Sequence, residues 1–245
     1  MSSMEQSMQQ VFSRYETKYL LRDRQLDAFL RGMSGRMKKD AYGDYTICSV
    51  YFDTEDYSLI RASIEKPVFK EKLRLRSYGI PKPDDPAFLE LKRKFDGIVY
   101  KRREAMTFRE AADYLDRGRR PAGAGQVLRE VDYFMALYHP VPKAYLAYER
   151  TAFSGVQNEG LRITLDRNIR WRGCALDLSQ GDWGTPLLEA GLTLLEIKIP
   201  GAAPLWLARL LSDLQIYPAS YSKYGECYQQ NLIHSFFNSE VFHCA

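Results

Sequence analysis

Five segments of the sequence alternate charged and apolar side chains with a period of two, which constrains the fold more than any other feature of the chain. "KEKLRLRSYG" (70–79) puts Lys70, Lys72, Arg74 and Arg76 on one face of a strand, continued by Tyr78, with Leu73 and Leu75 behind. The same parity gives Glu16/Lys18, Glu90/Lys92/Lys94, Arg162/Thr164/Asp166 and Glu196/Lys198. Their opposite faces carry Tyr15/Thr17/Tyr19, Leu89/Leu91, Leu161/Ile163/Leu165 and Leu195/Ile197. An antiparallel sheet with one wet face produces such alternation. A merely solvated face, however, mixes both signs with Ser, Thr, Asn and Gln. These faces are dominated by cations, with a carboxylate two residues from a basic side chain, a set that suits a polyanion plus a divalent metal.

The apolar backs of these strands need cover, and helical spacing supplies it. "DRQLDAFLRGMSGRMKKD" (23–40) repeats Leu26, Phe29, Leu30 and Met33 at helical intervals, and "EDYSLIRASIEK" precedes the helix-stopping Pro67. Residues 108–139 hold two helical patterns separated by "RRPAGAG", and "APLWLARLLSDLQ" is amphipathic. "YTICSVYFDT" reads as a further strand ending at Asp53, and "DG" at 96–97 reads as a hairpin turn. The expected fold is α+β: an antiparallel β-barrel tunnel with a charged lumen and helices packed outside. A flexible tail over 1–10 and one domain over 11–245, with its helical segment at 108–139, is the simplest division. Cations gathered in such a lumen repel one another at low dielectric, so an anion belongs among them, and phosphate is the natural one.

Several chemistries lack their signatures. There is no G-x-S-x-G, no G-x-x-x-x-G-K-[ST] and no G-x-G-x-x-G, so phosphate would be held without a glycine-rich loop. Cys48, Cys174, Cys227 and Cys244 form no C-x-x-C pair, which leaves a zinc site unsupported. The net charge of +4 over 245 residues is too mild to announce a nucleic-acid binder. The cationic row also offers only Tyr78 for base stacking, which argues against RNA. The N-terminal residues show no leader pattern and no apolar run reaches membrane-spanning length, so a cytoplasmic protein without a membrane segment is expected.

Taken in series, "RYETKYLL", "SVYFDT", "KLRLRSYG", "FLELKRK", "YKRR", "YERTAF", "LRITLDRNI", "LLEIKIPG" and "SKYGECY" resemble the catalytic domain of the vacuolar transporter chaperone (VTC) polyphosphate polymerases, within the triphosphate tunnel metalloenzyme (CYTH-like) superfamily. The resemblance implies an antiparallel tunnel, ATP as phosphoryl donor, a Mn²⁺ or Mg²⁺ ion, and orthophosphate or polyphosphate as acceptor. By the same resemblance Arg74, Arg76, Lys92, Lys101, Arg150, Arg162 and Lys223 match phosphate-contacting positions. Lys18 and Lys198 match further basic tunnel positions, and Glu196 matches a metal-binding glutamate. Strand parity adds Lys72, Lys94 and Arg103 as substrate-binding candidates and Glu90 as a second metal candidate. One departure stands out: the first strand reads Arg14-x-Glu16-x-Lys18, whereas the superfamily's hydrolases and cyclases commonly carry E-x-E-x-K, so one acidic ligand is missing. The expected activity is metal-dependent transfer of the ATP γ-phosphate to a growing polyphosphate. Hydrolysis of a triphosphate and polyphosphate binding without catalysis are the alternatives.

Overall fold

The alternating segments all become strands of one antiparallel sheet. A computed structural model describes residues 14–96, 98–158 and 160–234; the tail expected over 1–10 lies outside them. In chain order the strands are β1 (Arg14–Arg22), β2 (Met37–Asp53), β3 (Phe69–Tyr78), β4 (Pro86–Phe95), β5 (Ile98–Thr107), β6 (Val141–Gly155), β7 (Arg162–Arg172), β8 (Thr185–Pro186) and β9 (Leu192–Pro200). The helices are α1 (Asp23–Gly32), α2 (Ser58–Ile64), α3 (Phe108–Arg117), α4 (Gln126–Tyr138), α5 (Leu205–Asp213) and α6 (Lys223–Cys227). The sheet order is β1-β9-β7-β6-β2-β3-β4-β5, with β8 added alongside β7.

That order makes the curl of the sheet readable. β1 and β4 lie six strand spacings apart in the ladder, which in a flat sheet is about 29 Å. Lys92 on β4 nevertheless acts electrostatically on Glu16 and Lys18 of β1, so the sheet folds round until its ends face each other. Among the described residues no ladder joins β1 to β5, so the expected barrel is a curled sheet with an open seam rather than a closed cylinder.

Three apolar clusters stabilise the curl. On the convex side α3 and α4 cover β2, β3, β4 and β6 through Leu73, Leu75, Leu89, Leu91, Leu128 and Phe134. Also convex, α1 and α5 cover β1, β7 and β9 through Leu21, Phe29, Ile163, Leu195 and Leu207. The third cluster fills part of the concave side, where α2 and α6 bring Ile60, Tyr224 and Cys227 against Ile47, Leu146, Trp171 and Leu194. Full burial of side chains this large contributes about 1.5–3 kcal/mol each. The polar remainder of the concave face is the lumen.

Local sequence sets the element ends. Thr107 accepts the Glu110 backbone N–H while the Glu110 carboxylate accepts from the Thr107 N–H, a capping box that starts α3; Gly118 ends it in the left-handed region. The helix expected over 23–40 stops at Gly32, and Gly35 turns the chain at φ +72°. Residues from Met37 then join β2, and Lys38 and Lys39 pair with Ser154 and Phe153 of β6. At the other end of β2, buried Asp53 accepts the backbone N–H groups of Leu59 and Ile60 and the Tyr224 hydroxyl, tying α2 to α6.

Candidate functional site

Ladder register turns the parity rows into a continuous wall. Lys70, Lys72 and Arg74 on β3 stand opposite Lys94, Lys92 and Glu90 on β4, and Lys92 and Glu90 in turn oppose Lys101 and Arg103 on β5. All eight share the concave face. Glu90, with its side chain 1% exposed, is the hub: Arg74 approaches at 2.7 Å, Lys101 at 2.7 Å and Arg76 at 3.6 Å, and Arg103 also binds it directly. Burial alone would raise the Glu90 carboxyl, but Arg74, Arg76 and Lys101 hold it well below the usual carboxylate range. Both Glu90 oxygens are engaged by cations.

Tyr51 backs this wall. Its hydroxyl accepts from Arg74 Nη1 at 2.9 Å and its ring stacks on Tyr224 at 4.8 Å. Burial opposes ionisation of Tyr51, yet Arg74 and Arg76 pull its pKa down to about 8. Lys72 is lowered to about 8, by burial first and then by Lys70, Lys92 and Lys18. Lys101 is also lowered to about 8, by burial first, with Glu90 opposing. Among the described residues Lys92 and Lys94 make no ion pair at salt-bridge distance.

The facing wall, built from β1, β9, β7 and β6, has a different composition. Lys18 stands opposite Glu196 and Glu16 opposite Lys198 in the β1–β9 ladder, while Thr164 opposes Glu196 from β7. The Glu16 and Glu196 carboxyl groups lie within hydrogen-bonding reach of each other. Burial, followed by Glu196, raises the Glu16 pKa. Burial opposes ionisation of Glu196 as well, but Glu16, Lys198, Lys223 and Lys18 hold it far below the usual range. Beside them Arg150 makes a two-pronged contact with Asp166 at 2.6 and 2.7 Å and reaches Glu196 at 3.6 Å.

Lys223 enters from α6. Ser222 starts that helix by accepting the Gly225 N–H at 3.2 Å, which aims Lys223 across the lumen onto Asp166 at 2.5 Å and over the Tyr148 ring at 4.3 Å. Burial disfavours its charge, but Asp166 and Tyr148 raise its pKa and keep it protonated. The two preceding residues tether other strands: Lys18 Nζ donates to the Tyr221 carbonyl at 2.9 Å and Lys72 Nζ to Ser222 Oγ at 3.3 Å. Arg162 stands apart, half exposed and turned to Asp40 at 3.1 Å.

The structure therefore gathers Arg74, Arg76, Lys101 and Arg103 about Glu90, Arg150 and Lys223 about Asp166, and Lys18 and Lys198 about the Glu16–Glu196 pair. Glu16 and Tyr51 were missed by sequence reasoning. The signal for Glu16 was its place in the β1 parity row; the sequence carries none for Tyr51. Among the described residues no three Asp, Glu, His or Cys side chains converge as a metal site. Two carboxylates close enough to share a proton are still a fit for a hard divalent ion that takes its remaining oxygens from substrate phosphates and water.

This geometry has relatives. The family model described as the VTC domain matches residues 13–232 of the chain. The chain belongs to the VTC domain family. The VTC fold here is similar to that of a candidate adenylate cyclase from Bacillus halodurans, at 14% identity and TM-score 0.52, covering 84% of this chain and 92% of that one. A candidate adenylyl cyclase from Hippeastrum, described as having a dominant triphosphatase activity, aligns at 16% identity and TM-score 0.47 over 93% of this chain and 96% of that one. At 14% identity the first likeness speaks to the fold alone, a curled antiparallel sheet. No curated protein matches the sequence.

Proposed function

We propose that this VTC domain is a metal-dependent polyphosphate polymerase, transferring the γ-phosphoryl group of ATP to a growing polyphosphate chain in the lumen. The carrying observation is the cationic face of β3, β4 and β5, unbroken along β3. From Arg76 to Lys70 it runs six residues of strand, about 20 Å, which is longer than the three phosphates of a nucleotide require. Family membership over residues 13–232 supports the same reading.

The residues divide the work. Arg74, Arg76, Lys101 and Arg103, held by Glu90, line up phosphoryl oxygens, and Lys72, Lys92 and Lys94 continue the track for the acceptor polymer. Arg150, Lys223, Lys18 and Lys198 neutralise the reacting phosphates from the opposite wall. Glu196 and Glu16 would hold the Mn²⁺ or Mg²⁺, which when bound supplies charge neutralisation on the phosphate oxygens. A terminal oxygen of the acceptor attacks the γ-phosphorus, the bond from that phosphorus to the β,γ-bridging oxygen breaks, and ADP leaves with the electron pair. Polyphosphate grows by one unit. No protein nucleophile is required, so positioning and charge stabilisation supply the acceleration.

Incubating the protein with ATP and Mn²⁺ and resolving the products by length tests this reading. Chains longer than three phosphates, with stoichiometric ADP, are expected. Orthophosphate as the sole phosphate product would make the domain a hydrolase, and binding without turnover under any divalent ion would make it a polyphosphate-binding module.

A further inference from the structure

The cationic row of β3 ends in an aromatic ring. Tyr78 follows Arg76 by two residues on the same face, about 6.7 Å further along the strand, and is 48% exposed. Its ring meets Tyr45 at 5.8 Å and Phe88 at 5.5 Å, both near perpendicular, while Arg103 donates to its hydroxyl at 3.4 Å. Arg103 also lies over the Phe88 ring at 4.6 Å, and Tyr42, 79% exposed, edges onto Tyr45 at 6.4 Å. The side chain is thus fixed in orientation, half open to solvent, and has no parallel ring stacked on it among the described residues.

We propose that Tyr78, flanked by Tyr45, is the platform for the nucleobase of a nucleoside triphosphate, which enters with its phosphates pointing inward along Arg76, Arg74 and Lys72. The inference rests on the phosphate-tunnel reading and deepens it by distinguishing a nucleotide donor from an inorganic one. Elimination supports the assignment. Tyr51, Tyr148, Tyr221 and Tyr224 are all less than a tenth exposed, and Tyr100 is on the face of β5 opposite Lys101 and Arg103. An extended nucleotide carries its base beyond the α-phosphate at the end away from the γ-phosphate, and that is where Tyr78 stands relative to the arginines. Stacking on a tyrosine face tolerates any base, so the platform selects for a nucleotide over bare phosphate without choosing among nucleotides.

Equilibrium binding of ATP and of inorganic tripolyphosphate, each to wild type, Tyr78→Leu and Tyr78→Phe, tests the platform, with melting temperatures confirming that each variant is folded. Tyr78→Leu is expected to weaken ATP about 5- to 100-fold, the range of one base–aromatic stack, and tripolyphosphate less than about twofold. Tyr78→Phe, which keeps the ring and loses the bond to Arg103, should retain ATP affinity. GTP should follow ATP in all three proteins. Equal loss of ATP and tripolyphosphate in Tyr78→Leu, or no loss of either, overturns the platform while leaving the tunnel intact. Failure of wild type to bind either ligand overturns the tunnel reading and the platform with it.

Discussion

The two walls of the lumen answer the same problem in opposite ways. On β3, β4 and β5 a single carboxylate, Glu90, is set against Arg74, Arg76, Lys101 and Arg103, with Lys72, Lys92 and Lys94 beyond its reach. On β1, β9, β7 and β6 three acids, Glu16, Glu196 and Asp166, are interleaved with Lys18, Lys198, Arg150 and Lys223. The first wall carries surplus positive charge, so an incoming polyanion supplies what the protein lacks. The second is nearly balanced and contains a carboxyl pair, which is wasteful for an anion site and useful for a cation. On the proposed reading, one wall would receive phosphate and the other would hold the metal that accompanies it.

The sharpest way to break this contrast is Glu90→Gln. Removing the hub leaves buried Arg76 and partly buried Arg74 without their mate, a loss of up to about 3 kcal/mol, read as a lower melting temperature that tripolyphosphate raises by more than it raises wild type. Because the Glu90 pKa lies below its unfolded value, its contribution is fully present above about pH 4.3 and is lost as pH falls toward the folded value. The gap between wild type and variant should therefore narrow on acidification below about pH 4. An unchanged melting temperature at neutral pH would mean that the first wall needs no counter-anion.

Next in size is Glu196→Gln on the second wall. Turnover of ATP with Mn²⁺ should fall by more than about 100-fold, while tripolyphosphate affinity in chelator stays the same or improves. Retained turnover with a lowered melting temperature would make Glu196 a structural partner of Lys198 instead. Arg74→Ala and Arg76→Ala, assayed for tripolyphosphate binding, should each cost about 1.5–3 kcal/mol, the scale of charge-assisted hydrogen bonds. Normal binding by both would reduce the first wall to a solvated face.

The smallest effect is a proton count. Lys72 and Lys101, both near pKa 8, are partly neutral in the empty lumen at that pH, and a bound polyanion restores their charge. Binding at pH 8 should take up protons, seen as a calorimetric heat that changes with buffer ionisation enthalpy, and affinity should weaken several-fold between pH 7.5 and pH 9. Absence of uptake would place the polyanion away from both lysines.

Much of this was legible in the sequence because strand parity is a local property. The rows on β3 and β4, the Lys101/Arg103 alternation and the helical pair within 108–139 follow from spacing alone. Which row faces which is a matter of topology, and no local signal says that β1 pairs with β9 or that Glu16 meets Glu196. Nothing local to "SKYGE" marks Lys223 as an inward-facing cation; Ser222 capping α6 is what turns it inward. Parity placed Glu90 on the right face but was silent on its partners, because its cations arrive from two neighbouring strands at once.

The pairing of β1 with β9 also governs how the molecule must assemble. β1 is at one end of the sheet order with β9 as its ladder neighbour, so the first strand of the described chain waits for residues 192–200. The segment 221–223, which ties Lys18, Lys72 and Asp166 together across the lumen, comes later still. Contacts of such long sequence separation make folding slow. The two walls can therefore face each other only once residues 192–200 and 221–223 have been made.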